Sequence, residues 1–248
     1  MSEVQRIAAL PRHDDYGSPR MHQELKKANI YCCENTVAKY MRDAGIRART
    51  KPKFRITTTD SKHDLPIAPN HLNQCFTSKS INQVWLTDFT YIHTLEGFTY
   101  LCAIKDMYSR KIVGWATSRH IDSPLAISAL NQSHALRKPK PGLIVHSDRG
   151  SQFASQAYRN QLAKFEMKQS MSRKGNCYDN APMESFFKSF KTEEVNRQTY
   201  QTYEQATRAV IDYIERFYNP VRSHTSVGFV SPNEFEKTLR ASSKELAI

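Results

Sequence analysis

The chain has 248 residues, 39% of them apolar, with 12 Tyr, 12 Phe and 2 Trp. That is enough for one large domain, or for a core with a small accessory module, and it excludes a wholly disordered chain. With 36 Lys+Arg against 24 Asp+Glu the net charge is +12, so a polyanionic partner is expected. No run approaches the ~18 apolar residues of a membrane span. The first residues also lack the basic-then-apolar order of a secretory signal. Nucleic acid is therefore the favoured polyanion.

In chain order, helical spacing comes first. Ser18-Pro19 reads as an N-cap and first-turn pair, and Met21, Leu25 and Ala28 then recur on one stripe. After 29–31 a second helix carries Val37, Tyr40, Met41 and Ala44, with Cys33 near its N-cap, where Ser would cap better. Gly45 stands where a helix end favours positive φ. Two short helices across a tight turn predict a helix-turn-helix, with Lys39 and Arg42 on the polar face of the second. In 47–55, five of nine residues are basic, Arg47, Arg49 and Lys51 among them, as expected of a strap that tracks phosphates. Residues 1–55 form the expected DNA-binding module. Residues 56–80, rich in Pro and Asn without a period, read as a linker.

From residue 81 onward the pattern belongs to a second unit, 81–248. Segments 84–92, 98–104 and 111–116 are rich in β-branched and aromatic residues and are separated by short turns, which predicts an antiparallel meander. A helix over 125–136 follows, then a strand over 143–146, a helix over 155–165 and a strand over 167–170. A loop over 173–179 leads to a helix with Asn180 at its cap and Pro182 in its first turn. A long helical segment covers 203–218. The order βββαβαβα indicates an α/β layer fold. The five cysteines (32, 33, 75, 102 and 177) contain no C-x-x-C pair, and Cys102 lies in an apolar run. A reduced cytosolic compartment fits this usage. His63, His71 and Cys75 lack the second close pair that a zinc site requires.

Three acids stand out. Asp88 interrupts an apolar strand, where a carboxylate costs several kcal/mol (roughly) unless it is paired or bound to a cation. Asp148 directly follows a strand, where α/β sheets commonly place functional groups. Glu184 opens a helix whose Phe186, Phe187 and Phe190 must pack inward. Asp148 alone reads equally as a turn former and Glu184 as a helix-dipole partner. Together, on three core elements of a basic chain, they suggest a site for a hard cation such as Mg²⁺ or Mn²⁺.

The motifs around them are specific. Trp85-Leu86-Thr87-Asp88-Phe89-Thr90-Tyr91-Ile92, His146-Ser147-Asp148-Arg149-Gly150 and the stretch 172–187 resemble the three catalytic motifs of insertion-sequence transposases with a retroviral-integrase-like core. Thirty-five residues separate Asp148 from Glu184, and Lys191 follows seven later, as in that family's signature. Tyr16-Gly17-Ser18-Pro19-Arg20 at the front, and Tyr218-Asn219-Pro220 with Arg222, His224, Ser231-Pro232 and Phe235 near the end, are similar to it as well. The resemblance implies a ribonuclease-H-like mixed sheet flanked by helices and 3′-end cleavage followed by strand transfer. It further implies Asp88, Asp148 and Glu184 as catalytic ligands of two Mg²⁺ or Mn²⁺ ions. Element ends and target DNA are the implied partners, with oligomerisation on DNA and an upstream-frame DNA-binding protein or fusion, in a bacterial cytoplasm at the nucleoid. Lys188 and Lys191 would share the Glu184 face of the helix and contact phosphate. Lys174, in the preceding loop, is a further DNA contact. Two alternatives stay open: a nuclease of the same fold that does not join, and a non-catalytic DNA-binding regulator.

Overall fold

The computed structural model describes residues 3–11, 13–48, 63–75, 77–173 and 177–245. The sequence-predicted contacts Arg49, Lys51 and Lys174 lie outside the described residues.

The front of the chain holds α1 (Glu3–Ala8), α2 (Ser18–Lys27) and α3 (Glu34–Asp43). Their joint core is built from i,i+4 pairs: Met21 with Leu25 and Val37 with Met41, closed by Val4 and Ile7. The predicted stripe is too wide. Ala28 and Ala44 are exposed, and Tyr40 is 61% exposed. Such short helices cover each other with one row of side chains only, which leaves the i+3 neighbour outside. Gly45 takes φ +69°, as its position requires. The N-cap of α2 is Gly17 rather than Ser18, whose hydroxyl instead donates to Glu34 Oε1 at 3.3 Å. Cys33 caps α3 without a side-chain bond and faces Thr36 Oγ1 at 3.0 Å.

The core sheet contains β1 (Val84–Thr94), β2 (Gly97–Asp106), β3 (Ile112–Ser118), β4 (Ile144–Ser147) and β5 (Lys168–Met171), in the order β3-β2-β1-β4-β5. The first three pair antiparallel as the expected meander, while β4 and β5 join parallel on the other side of β1. Central β1 shows the period-2 alternation of a strand covered on both faces. Val84, Leu86 and Ile92 face one apolar cluster, and Trp85 and Phe89 face the other. The second face is covered by α4 (Ser123–Arg137) and α6 (Gln156–Lys164), with short α5 (Ser151–Ala154) between β4 and α6. Gly114 permits this packing, since a Cβ there would lie 1.9 Å from Ser133 Oγ and 2.8 Å from the Ala129 carbonyl. The first face is covered by α7 (Ala181–Glu193), through Met183, Phe186, Phe187 and Phe190, and by α8 (Tyr203–Ile211).

The periodic run 203–218 changes winding midway, since α8 continues as a π-helical turn over Asp212–Tyr218 that buries Tyr213, Ile214, Phe217 and Tyr218. The following Asn219 mimics a strand partner. Its side chain accepts from Ile112 N at 2.9 Å and donates to Ile112 O at 3.0 Å. Helix α9 (Pro232–Glu245) is anchored by Glu236, which accepts from Arg137 at 2.7 and 2.8 Å and from Ser109 Oγ at 2.8 Å.

The stretch read as a linker is engaged with the core from residue 63, where a His63 ring nitrogen lies 2.8 Å from Arg149 O. Met171 N donates to Pro69 O at 3.4 Å and His71 N to Ser170 Oγ at 2.9 Å, and Leu72 is buried. These bonds cover the free edge of β5, which would otherwise offer unpaired backbone groups.

Candidate active site

The site begins with strand register. Strands β1 and β4 run parallel with Leu86 opposite His146. Two residues past that pair come Asp88, still within β1, and Asp148, just beyond the end of β4, near enough for its charge to act on Asp88. Asp88 shares the parity of Leu86, so it belongs to the face that α7 covers. Asp148 sits in the turn leading to α5, where its Oδ1 accepts from Gly150 N at 2.9 Å. A Cβ on Gly150 would stand 3.1 Å from that oxygen and 2.9 Å from Gln152 Oε1, so a side chain there would crowd the carboxylate.

Asp88 is half-buried by area but lies under dense protein. Burial is the first cause holding its carboxyl well above the usual carboxylate range, and the neighbouring Asp148 is the second. The Phe89 N–H, at 2.8 Å, pulls the other way, Glu184 adds to the rise, and the Asn180 side chain offsets part of it. Glu184 itself is exposed in the first turn of α7. No three acidic or other donor side chains stand close enough to form a ready metal cage among the described residues. Asp88 and Asp148 are the near pair, and Glu184 is the outer member.

Asn180 and Asp179 fix how α7 enters. Asn180 occupies the N-cap without making a cap bond, and its Nδ2 donates instead to Thr87 O at 3.3 Å. Asp179 accepts from Asn70 Nδ2 at 3.0 Å, from Arg173 N at 2.7 Å and from the Arg173 guanidinium at 3.0 Å. The Arg173 bonds are the main cause holding its carboxyl down, at about 2. Thus α7 is stapled to β1 beside Asp88 and to the 68–72 segment. The roles of Asn70, Asp179 and Arg173 are not legible from local pattern, because their partnership spans up to 109 positions.

His146, two residues before Asp148, is neutral at pH 7. Burial lowers it to about 4, and its ring nitrogens lie 2.8 Å from Ser170 Oγ and 3.2 Å from Ser172 Oγ. Cys102 is a core residue as expected, with no exposed surface and a thiol that burial pushes up to about 12.

The basic residues divide. Lys39 and Arg42 on α3, Arg47 just beyond it and Lys188 on α7 are all exposed. Lys191 is turned back on the protein. Its Nζ donates to Tyr91 O at 2.7 Å and lies 3.5 Å from the Tyr91 ring centre, and burial lowers it to about 8. The seven-residue spacing from Glu184 indicated a shared face but could not reveal that β1 lies against the end of that face.

Comparison with known proteins agrees with this architecture. Residues 79–177 and 184–239 each match an integrase core domain family, and residues 1–54 match an HTH-like domain family. A solved simian T-cell lymphotropic virus intasome shares the fold at 13% identity and a TM-score of 0.51, over 86% of this chain and 69% of that one. The class is therefore a ribonuclease-H-like integrase fold behind a small helical module.

Relatives narrow this further. The chain is 40% identical to the insertion element IS600 31 kDa protein of Shigella sonnei, over 94% of this chain and 85% of that one. It is 40% identical to the transposase for insertion sequence element IS904 of Lactococcus lactis, covering 90% and 87%. It is 39% identical to the transposase InsF for insertion sequence IS3A of Escherichia coli, covering 93% and 80%. The chain belongs to the insertion-sequence transposases with an integrase-type catalytic core.

Proposed function

We propose that Asp88, Asp148 and Glu184 are the catalytic acids of a DNA transposition reaction, in which a 3′ end is freed from the insertion sequence and joined to a new phosphate. The observation that supports the reading is that Asp88 lies on the β1 face covered by the Glu184-bearing helix, with Asp148 just past the parallel neighbour β4 and near enough for its charge to act on Asp88. Asp148 and Glu184 both oppose ionisation of Asp88, and acids gathered in this way suit a site that a cation completes. The donors are all carboxylate oxygens, which suits Mg²⁺ or Mn²⁺. Asp88, Asp148 and Glu184 would hold the ions. Bound there, the metal supplies Lewis-acid stabilisation of the attacking and leaving oxygens.

The chain's own residues do the rest. The bonds from Phe89 N and Asn180 orient the Asp88 carboxylate, and Gly150 N orients Asp148. Exposed Glu184, in the first turn of α7, is the member nearest solvent and already raises the Asp88 carboxyl. The nucleophile is a water for cleavage and a DNA 3′-hydroxyl for joining, so no side chain forms a covalent link to DNA. Lys39, Arg42, Arg47 and Lys188 are placed to contact DNA phosphates, which position the duplex without reading its sequence. Assembly of several copies on DNA, and an upstream-frame DNA-binding partner, belong to the same reading.

The test is strand transfer with purified full chain, Mg²⁺ and a pre-cut element end carrying a free 3′-hydroxyl. Insertion is expected, with Asp88→Asn and Glu184→Gln each reducing it at least about 10³-fold while DNA affinity stays near that of the parent. Cleavage without insertion would indicate a non-joining nuclease. Undiminished joining by either variant would remove the assignment.

A further inference from the structure

A second cluster of charge lies along α7, of the opposite sign. Lys105 at the end of β2, Arg110 in the following turn, Arg222 beyond the π turn and Arg20 of α2 together line a cavity of about 380 Å³. Its wall is completed by hydroxyl groups, including Ser185 of α7 and Ser226. These cations are not a solvated surface. Lys105 and Arg222 keep 4% and 3% of their surface.

Their counter-charge falls short. Glu193 accepts from Arg222 at 2.6 and 2.7 Å and lies 3.7 Å from Arg20. Among the described residues, Lys105 donates to the Pro182 carbonyl at 3.1 Å, and Arg110 Nε is buried without a hydrogen-bond partner. Asp106 lies near Arg110, but its oxygens are occupied by Asn82 N, Tyr108 N and the N–H and hydroxyl of Ser109. Burial first, then the neighbouring Arg110 and Arg222, lowers Lys105 well below the usual lysine range. Arg110 also holds φ +64°, a conformation that costs a non-glycine residue energy. Holding Glu193 would need one of these arginines. The four together, on a cavity with hydroxyl donors, have the make-up of a site for a multiply charged oxyanion.

We propose that this cavity is a phosphate-binding site, filled by a phosphate group of a DNA backbone or of a free polyphosphate. The Arg110 guanidinium donates to the phosphate, the Lys105 amine takes up and holds a proton against the incoming charge, and the Ser185 and Ser226 hydroxyls donate to the remaining phosphate oxygens. Ser185 lies one residue from Glu184 on α7, so a backbone phosphate held here would fix where a strand runs relative to the acid face. That last step alone rests on the reading of the acids given above.

The test uses the full chain carrying Asp88→Asn, without divalent metal, so that strand transfer plays no part. Tripolyphosphate binding is followed by calorimetry, and duplex DNA binding is followed as a function of salt. Arg110→Gln, and separately Ser226→Glu at the exposed mouth, should each weaken tripolyphosphate binding by about tenfold or more, and Lys140→Ala, at an exposed lysine outside the cavity, should not. If the DNA backbone is the occupant, the slope of log affinity against log salt should also fall by about one for Arg110→Gln. Loss of tripolyphosphate binding with an unchanged slope identifies a free polyphosphate instead. Both variants, folded, matching the parent in both measurements would overturn the proposal.

Discussion

Helix α7 separates two regions that handle charge in opposite ways. On one strip, Asp88, Asp148 and Glu184 bring negative charge together, and both neighbours raise the Asp88 carboxyl. On the next, Arg20, Lys105, Arg110 and Arg222 surround a cavity with one carboxylate, Glu193, between them. A core selected for stability alone would pair the two sets or replace them with apolar side chains. The construction also differs. The cationic side is locked, because Glu193 is gripped by Arg222 and by the Tyr213 hydroxyl at 2.8 Å. The acidic side is held only at its strands, and its helical member remains exposed. The contrast teaches that the fold supplies a rigid frame on one side of α7 and leaves the other adjustable.

The largest expected effect that would break this contrast is Glu193→Gln. It removes the carboxylate from a buried cluster and leaves Arg222 unpaired, which should cost about 3–5 kcal/mol in denaturant unfolding. A loss below about 1 kcal/mol would show that the cationic side is not locked through Glu193.

A smaller effect, of opposite sign, is expected at the acidic side. Asp88→Asn should raise the melting temperature of the metal-free protein near pH 8. The folded-state pKa of Asp88 is raised above its unfolded value, first by burial and then by Asp148. Its ionised form therefore destabilises the fold at high pH, and the penalty vanishes below the ordinary carboxylate range. The gain from Asn should accordingly shrink as pH falls toward 4. A variant less stable than the parent at pH 8 would mean that Asp88 is already compensated.

Much of this was legible in the sequence, for local reasons. The strands announced themselves through β-branched and aromatic runs, and Asp88 through its intrusion into one of them. Gly45 was readable because positive φ has few solutions, and the order of elements fixed the layer class. What escaped is non-local. Lys105, Arg110 and Arg222 are unremarkable singly, and only the docking of the C-terminal segment on β2 and β3 unites them. The 68–72 stretch has no period because it works through backbone bonds and Asn70 rather than through an apolar face. Lys191 was assigned to phosphate from helical spacing, whereas the Tyr91 carbonyl holds it in this conformation. Tyr40 fell outside the core because α3 packs along one row only.

The central claim, that the acids of β1 and β4 form one cation site, is tested most directly by Mn²⁺ binding, followed by electron paramagnetic resonance. The full chain bound to a DNA end should take up Mn²⁺. Asp88→Asn and Asp148→Asn should each lose most of that uptake, while Glu193→Gln retains it if folded. Equal uptake by the parent and both aspartate variants would contradict the account.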